Sequence, residues 1–264
     1  MKNKRLALFR GRHFQDEIIV LCLRWYLRYS LSYGDLEEMM AERGLSLDHS
    51  TIARWVLRYA PILSQRIRGE MRKPNRSWRV DETYVRVAGR WTYLYRAVDS
   101  EGNTIDFMLS PNRDLTAAKQ FLQLAMWRTR EVRPRVINVD GHPAYARAMA
   151  ELKSSGELGR RCRCRPCPYL NNIIEQDHRF IKKRIVASLG FRSVEGAVRT
   201  IAGYRCTRYE RDKSDGFPRG MLSVRSNSSS ASSALPPDHR HRRFNPRPFY
   251  TVCEFATDPL FPAK

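Results

Sequence analysis

The apolar pattern of the chain changes its period near residue 77, and this change restricts the chain to helices first and a sheet afterwards. Before that point apolar side chains recur every three to four residues, which is the spacing of one helix face. After it, three segments alternate or run apolar and are rich in Val, Tyr and Trp: Trp78–Val87, Trp91–Val98 and Thr104–Leu109. The glycine-containing stretches between them indicate tight turns. We therefore predict an all-α module over residues 1–64, a basic linker over 65–76 and, from residue 77, a mixed domain that begins with an antiparallel meander.

The N-terminal module carries the signals of three helices. Apolar side chains at helical spacing predict a first helix over Phe14–Tyr29. Ser32 has the spacing of a capping box and predicts the start of a second helix. Asp48 or Ser50 can cap a third helix, which we expect Pro61 to end.

Helix, turn and capped helix in this order are typical of helix-turn-helix proteins, whose second element lies in the major groove of DNA. Polar side chains lead the third helix, and on this interpretation they face DNA: His49, Ser50, Thr51, Arg54 and Arg58. An ordinary three-helix bundle with solvated charges is the alternative that this pattern leaves open.

The second half of the chain alternates helices with a short strand. Asp114 can cap a helix, and Arg135–Val139 is a short apolar strand. Helical segments follow at about Ala144–Lys153 and Asn171–Ile185. This order predicts an α/β fold, a ribonuclease H-like domain over residues 77–204 with a mixed sheet and helices on both faces.

The charge of the chain favours a polyanionic partner. The 48 Lys and Arg residues against 27 Asp and Glu residues give a formal net charge of +21. Nucleic acid suits such a surface, because neutralised phosphates release counterions; a merely basic soluble protein is the alternative. No segment approaches the ~20 apolar residues that span a bilayer, and the first residues lack the apolar core of a signal peptide. We therefore expect an intracellular protein with no membrane partner.

Three of the six cysteines form a cluster, Cys162, Cys164 and Cys167. A closed zinc site needs four ligands, and no second pair stands at a suitable spacing. The cluster is interpreted as free thiols on an Arg-rich loop, with metal binding left open.

Three carboxylates fall at positions of the predicted fold where chemistry is expected. Asp81 lies inside the first strand, where an acid is costly to bury unless it binds something. Asp140 ends the fourth strand, at the edge where ligands of open α/β sheets gather, and Glu175 lies one turn into a helix. Phosphoryl-transfer enzymes hold two Mg²⁺ ions with such oxygen ligands. Each acid taken alone is better explained as half of a surface ion pair.

Several strings of residues resemble the DDE transposases of the bacterial insertion-sequence-six family. The matching strings are GRHF at 11–14, DHSTI at 48–52, DETY at 81–84, YLYRAVD at 93–99 and NNIIEQDH at 171–178. The resemblance extends from about Phe9 to Tyr204. The family's three acids fall on Asp81, Asp140 and Glu175, with 34 residues between the second and the third.

The resemblance implies roles for these residues. Asp81, Asp140 and Glu175 would be catalytic and would hold two Mg²⁺ ions, or Mn²⁺. Lys182, seven residues after Glu175, would be catalytic and lie near a DNA phosphate. The adjacent basic residues Lys183 and Arg184 are further candidates for DNA binding.

The resemblance also implies an activity and its partners. The activity is binding to the terminal inverted repeats of an insertion sequence, followed by metal-dependent 3′-end cleavage and strand transfer with cointegrate formation. The partners are double-stranded DNA, as terminal repeats and as target, and a second copy of the chain or more on that DNA. The location is the bacterial cytoplasm, in association with the nucleoid. A DNA-binding regulator without catalysis and a plain ribonuclease H-fold nuclease are the alternatives.

The family's pattern stops at Tyr204. From Arg205 the sequence does not match in frame, but a reading one base out of register permits a peptide similar to the family's ending, which indicates a frameshift. Ser226–Ser233 consists entirely of Ser, Asn and Ala, and the remainder is rich in Pro and Arg. The tail, residues 205–264, is therefore predicted to be disordered, and a catalytically impaired DNA-binding protein becomes an alternative function. A natural linker or recruitment tail is the opposing interpretation.

Overall fold

The computed structural model describes residues 7–9, 11–68, 72–129 and 132–212. Three helices come first: α1 (Asp16–Arg28), α2 (Tyr33–Ala41) and α3 (His49–Arg68). The remaining elements follow in the order β1 (Ser77–Val87), β2 (Arg90–Asp99), β3 (Thr104–Ser110), α4 (Leu115–Arg128), β4 (Val136–Val139), α5 (Pro143–Ser154), β5 (Arg163–Pro166), α6 (Asn172–Ala187) and α7 (Val194–Asp212). The predicted caps are present, since Ser32 forms a capping box with Asp35 and Asp114 accepts the backbone N–H of Ala117.

The strands form one sheet in the order β3-β2-β1-β4-β5. β1, β2 and β3 are antiparallel neighbours, and β4 and β5 extend the sheet in parallel. The turn between β1 and β2 places Ala88 and Gly89 at φ 49° and 79°. Positive φ at both central residues is what a two-residue hairpin of type I′ requires.

Helices cover both faces of the sheet. Because successive side chains of a strand point to opposite faces, Val80 joins the core formed with α4 and α5, around Phe121 and Tyr145. Val85 faces the other way, into the core that contains Ile181 of α6. The α/β prediction is confirmed: this mixed sheet with helices on both faces is a ribonuclease H-like arrangement preceded by helices.

The three N-terminal helices share a core with the sheet. Leu23 of α1 and Ile52 of α3 belong to the same buried cluster as Val85 of β1 and Ile201 of α7. The helical module and the sheet are therefore separate segments of the sequence, but they share one hydrophobic core.

Gly203 allows α7 to pack directly against the N-terminal helices. A Cβ atom at this position would lie 2.7 Å from the Cβ of Ala60 and 2.7 Å from a methyl group of Leu27. Such contacts are closer than packed side chains tolerate, so α7 would have to move away from both helices.

We expect Gly203→Ala to lower the free energy of unfolding by about 1–3 kcal/mol, because overpacking of the core outweighs the better helix propensity of Ala. Urea unfolding measures this difference. Gly196→Ala on the same helix is the control, since its added Cβ would meet only the Oγ of Ser193 at 2.9 Å and a Leu57 methyl group at 3.7 Å. Equal stability of the Gly203 variant and the unmodified protein would contradict the packing argument.

The predicted end of the third helix at Pro61 is wrong. α3 continues through Pro61 to Arg68. Proline has no N–H and leaves the carbonyl four residues earlier without its helical donor. Nη1 of Arg199, on α7, donates to that carbonyl, the oxygen of Leu57, at 3.2 Å. A donor distant in sequence thus replaces the lost hydrogen bond.

The loop prediction for the cysteine cluster is wrong for Cys164 only, since Cys162 and Cys167 lie just before and just after a strand. Cys164 lies on β5, which pairs in parallel with β4. Cys162 is buried, and burial raises the pKa of its thiol to about 11. Within the described ranges, no group of metal-ligating side chains includes a cysteine.

The last described helix passes the predicted boundary at Tyr204. α7 begins at Val194 and continues through Asp212, so the first eight residues of the predicted tail are helical. Residues 213–264, the rest of that tail, lie outside the described residues. No helix in the described ranges is both long enough and apolar enough to cross a membrane.

Candidate active site

The sheet brings Asp81 and Asp140 together. Asp81 lies in β1 and Asp140 directly follows β4, the parallel neighbour of β1. The backbone N–H of His142 donates to Oδ1 of Asp140 at 2.9 Å, which orients this carboxylate. Carboxylate oxygens of Asp81, Asp140 and Glu82 all lie within 4.8 Å of one another.

Glu175 approaches the same site from the first turn of α6. It is exposed and is not part of the closest group of oxygens, but its charge acts on Asp81. The Nε of Arg79, in β1, donates to the carbonyl of Leu170 at 3.0 Å, just before α6. This contact holds the start of α6 against the strand that carries Asp81.

Glu82 is an acid of the site that the sequence prediction missed. Its side chain is only 3% exposed, and it accepts hydrogen bonds from the Tyr145 hydroxyl and from Nε of Arg113. Nη2 of the same Arg113 donates to Oδ2 of Asp140 at 2.7 Å. Two adjacent acids within a strand were the available signal, but alternation alone places Glu82 and Asp81 on opposite faces. Arg113 had no sequence signal.

Asp81 is difficult to ionise in this environment. Burial raises the pKa of its carboxyl group to about 7, and the negative charges of Glu82, Asp140 and Glu175 add to the shift. A cation placed among these carboxylates relieves the repulsion.

His178 lies beside Asp81 as a neutral ring. Its Nδ1 is 3.7 Å from Oδ2 of Asp81, a distance at which a protonated ring would form an ion pair. Burial, followed by the nearby Arg96 charge, lowers the pKa of His178 to about 3. At neutral pH the ring therefore carries no charge, and its contact with Asp81 is not an ion pair.

Arg184 does not face DNA, so this part of the sequence prediction is wrong. Its side chain is buried, with Nε donating to the carbonyl of Leu27 at 2.9 Å and Nη2 donating to that of Arg28. Both are among the last carbonyls of α1, which lack helical donors. Lys182 and Lys183, by contrast, are exposed on α6.

The candidate DNA-reading residues lie at the N-terminal half of α3. His49, Ser50, Arg54 and Arg58 are exposed, and Thr51 is partly buried. Asp48 accepts the N–H of Ser50 at 2.7 Å, so Asp48 provides the cap. Arg54 donates to Thr51 Oγ1 at 2.8 Å, and Nδ1 of His49 lies 2.9 Å from a Glu37 carboxylate oxygen of α2.

Similarity to known proteins identifies the family. The family model described as a DDE domain (DDE_Tnp_IS240) matches residues 75–213. The transposase for the insertion sequence-like element IS431mec of Staphylococcus aureus is 40% identical over 198 residues, which are 75% of this chain and 86% of that protein. This chain belongs to the DDE transposases of the insertion-sequence-six family. The transposase of IS257 in transposon Tn4003 of Staphylococcus aureus is 39% identical to it with the same coverage of both chains, 75% and 86%.

Solved structures also align with this transposase. A chain of the simian T-cell lymphotropic virus intasome in complex with PP2A regulatory subunit B56 gamma aligns with a TM-score of 0.41 at 17% identity, over 63% of the transposase and 61% of that chain. The Mos1 strand transfer complex aligns with a TM-score of 0.37 at 15% identity, over 73% and 70%.

Proposed function

We propose that this transposase binds the terminal inverted repeats of an insertion sequence, cleaves the 3′ ends and joins them to target DNA, giving cointegrates. The observation that supports the proposal most strongly is the convergence of Asp81, Asp140 and Glu82 within 4.8 Å, with Glu175 acting on Asp81 from α6. Such a concentration of like charge is costly without a cation.

The acids fit a pair of divalent metal ions. We assign Asp81, Asp140 and Glu175 as the ligands, and their oxygen atoms suit Mg²⁺ or Mn²⁺. Two bound ions would supply activation of the attacking oxygen and stabilisation of the leaving oxygen in phosphoryl transfer. The His142 N–H orients Asp140, and the exposed Lys182 is available to a DNA phosphate.

Arg113 takes part in the charge balance of this site. Its guanidinium group bonds Glu82 and Asp140 and so partly neutralises two of the clustered acids. Its own side chain remains about one third exposed, at 32%.

We expect Arg113→Gln to lower the melting temperature of the metal-free transposase and to enlarge the rise that Mn²⁺ produces. Removing the guanidinium leaves repulsion between Glu82 and Asp140, which a divalent cation can offset by binding the folded state. Thermal melting with and without MnCl₂ measures both effects. Arg147→Gln, at an exposed position of α5, is the control and should change neither. An unchanged Mn²⁺ response in the Arg113 variant would count against metal binding at these acids.

The helical module is proposed to read the terminal repeats. The candidate residues are His49, Ser50, Thr51, Arg54 and Arg58, exposed or partly exposed at the start of α3. Pairing of two element ends implies at least two copies of the chain on DNA, in the bacterial cytoplasm and in association with the nucleoid. We assign residues 1–64 to DNA reading, 65–76 to the linker and 77–204 to catalysis, with α3 extending to Arg68 into the linker range and α7 to Asp212 beyond the catalytic range.

The tail is proposed to be the product of a frameshift near residue 204. Residues 205–212 continue α7, so a protease-resistant fragment should end near Asp212. The nucleotide sequence around codons 204 and 205 tests the frameshift directly. If the tail is a frameshift product, restoring the frame should raise both the melting temperature and the cointegrate yield.

Two assays separate the proposal from its alternatives. Band shifts compare a terminal-repeat duplex with a scrambled duplex at moderate salt, and equal affinities would contradict specific reading. A strand-transfer assay with a supercoiled target and Mg²⁺ distinguishes joining from simple cleavage. A regulator produces neither product, and a plain nuclease produces nicks without joining.

A further inference from the structure

Three aromatic side chains form a row on the β1–β2 hairpin, leading away from the carboxylates. Residues directly opposite each other in an antiparallel pair lie on the same face of the sheet. The register therefore aligns Glu82 with Tyr95, then Tyr84 with Tyr93, and finally Arg86 with Trp91 on one face. The ring centroids of Tyr84 and Tyr93 are 4.9 Å apart, and those of Tyr84 and Trp91 are 6.4 Å apart. We call Tyr93, Tyr84 and Trp91 the aromatic row.

The outer part of the aromatic row is exposed. Tyr95, which precedes the row on the same face, is buried against Phe121 of α4. Within the row, the side chain of Tyr84 is 50% exposed and that of Trp91 is 67% exposed. Single exposed aromatic residues are common, whereas neighbouring ones beside an open cavity indicate a binding surface.

A cavity of about 610 Å³ adjoins the row. It lies between the hairpin and α6, and its lining includes Tyr84, Trp91, Arg86, Lys182, Ile185 and Val186. Among the described residues that line it, Arg86 and Lys182 are charged and none is acidic. Aromatic faces combined with cations are the features that bind unpaired nucleic-acid strands, because bases stack on the rings and phosphates meet the cations.

The cavity lies next to the proposed catalytic site. Its walls are the β1–β2 hairpin and α6, and they include the two elements that carry Asp81 and Glu175, β1 and α6. Tyr84 is two residues beyond Glu82, or about 7 Å along the strand. This length corresponds to about two steps of stacked bases. A DNA strand with its phosphate at the carboxylates reaches the aromatic row within its next few nucleotides.

We propose that the aromatic row stacks against unpaired bases of the DNA strand next to the phosphate that is cut, so that the end of the duplex is opened there. This inference rests on the proposed function. It adds that the DNA is unpaired where it lies against the site. The positive charges favour DNA over a second copy of the chain, because a two-fold contact through this cavity brings Arg86 and Lys182 of both copies together.

A binding experiment without catalysis tests the inference. Terminal-repeat duplexes are prepared either fully paired or with a few unpaired bases beside the cleavage position, and their affinities are measured by fluorescence anisotropy in EDTA. Trp91→Ala should weaken binding of the unpaired form about tenfold, within the range for loss of one stacked base, and should leave the paired form within about twofold. The control is Trp127→Ala, which removes a 41% exposed indole of α4 that lies against Arg128 and should change neither affinity.

Abasic nucleotides distinguish stacking from contact with the backbone. When they replace the unpaired bases, the wild-type protein should lose the same tenfold, and Trp91→Ala should lose nothing further. Equal binding of the unpaired form by both proteins would overturn the inference. An equal loss of affinity of Trp91→Ala for paired DNA would also overturn it. So would a lower oligomeric mass of the DNA-free variant than of the wild-type protein in sedimentation. If the wild-type protein binds neither duplex, the proposed function itself fails, whereas tight binding that ignores Trp91 removes only the stacking surface.

Discussion

Replacing Asp81 by Asn is expected to reduce strand transfer by about 10³-fold or more and to raise the melting temperature of the metal-free protein at the same time. The loss of activity follows because an amide cannot supply the negative charge that holds a divalent cation beside the reacting phosphate. The gain in stability follows because burial and the neighbouring acids raise the pKa of Asp81 to about 7. An ionised Asp81 therefore opposes folding.

The pH dependence of the stability gain has a definite sign. The folded-state pKa of about 7 lies above the ordinary value of 3.8, so the folded protein binds the proton more tightly than the unfolded chain. Asp81 does not destabilise the protein below pH 3.8. Its destabilising effect grows as the pH rises from 3.8 to about 7 and is complete above that range. Asp81→Asn should thus raise the melting temperature most at about pH 8 and hardly at all near pH 4.

Thermal melting across this pH range, together with the strand-transfer assay, checks both halves of the prediction. Glu101→Gln is the control, since Glu101 is exposed in the turn between β2 and β3, and its loss should affect neither measurement. Joining at the wild-type rate by Asp81→Asn would refute the catalytic assignment. A lower melting temperature at about pH 8 would show that the carboxylate is already neutralised in the metal-free protein.

The sequence predicted the elements whose signals are local. The periods of apolar residues predicted α1 to α6 and the three-stranded meander, but not α7. Ser32 and Asp114 marked helix starts because their caps are made within three residues. β5 carries no apolar alternation, with Arg163, Arg165 and Pro166 exposed. It is a strand because β4 offers an unpaired edge, which no local pattern reveals.

Two of the wrong predictions, the end of α3 at Pro61 and the surface position of Arg184, have a common physical cause. The helix continues past Pro61 because Arg199 reaches the carbonyl of Leu57 from another helix. Arg184 looks like part of a basic surface, but it is buried because the end of α1 needs donors. In both places a backbone carbonyl left without a donor is satisfied by an arginine distant in the sequence. Only the tertiary structure shows which arginine does this.

The acids near the candidate site also differ in whether the sequence alone could identify them. Asp81, Asp140 and Glu175 could be proposed from the sequence because their positions in the predicted fold, taken together, agree with the family resemblance. Glu82 could not, because its part in the site depends on Tyr145 and Arg113, which come from two other segments.

Arg96→Met is expected to destabilise the protein by about 3–5 kcal/mol, the cost of leaving one member of a buried ion pair without its partner. Arg96 pairs with Asp177 of α6, and their side chains are only 3% and 4% exposed. Arg96 lies directly opposite Asp81 in the β1–β2 pair, so the ion pair attaches the helix that carries Glu175 to the sheet beneath Asp81.

Replacing both members of this ion pair separates charge burial from packing. Arg96→Met combined with Asp177→Leu removes both charges of this pair and should recover most of the stability lost by Arg96→Met alone. Urea unfolding of the wild-type protein and of the single and double variants measures the coupling between the two residues. Lys119→Met is the matched control, because it breaks the partly exposed pair with Glu151 and should cost less than about 1 kcal/mol. A comparably small cost for Arg96→Met, or a double variant no more stable than the single one, would show that solvent or other groups neutralise Asp177. The attachment of α6 beneath Asp81 would then have to rest on apolar contacts such as those of Ile181.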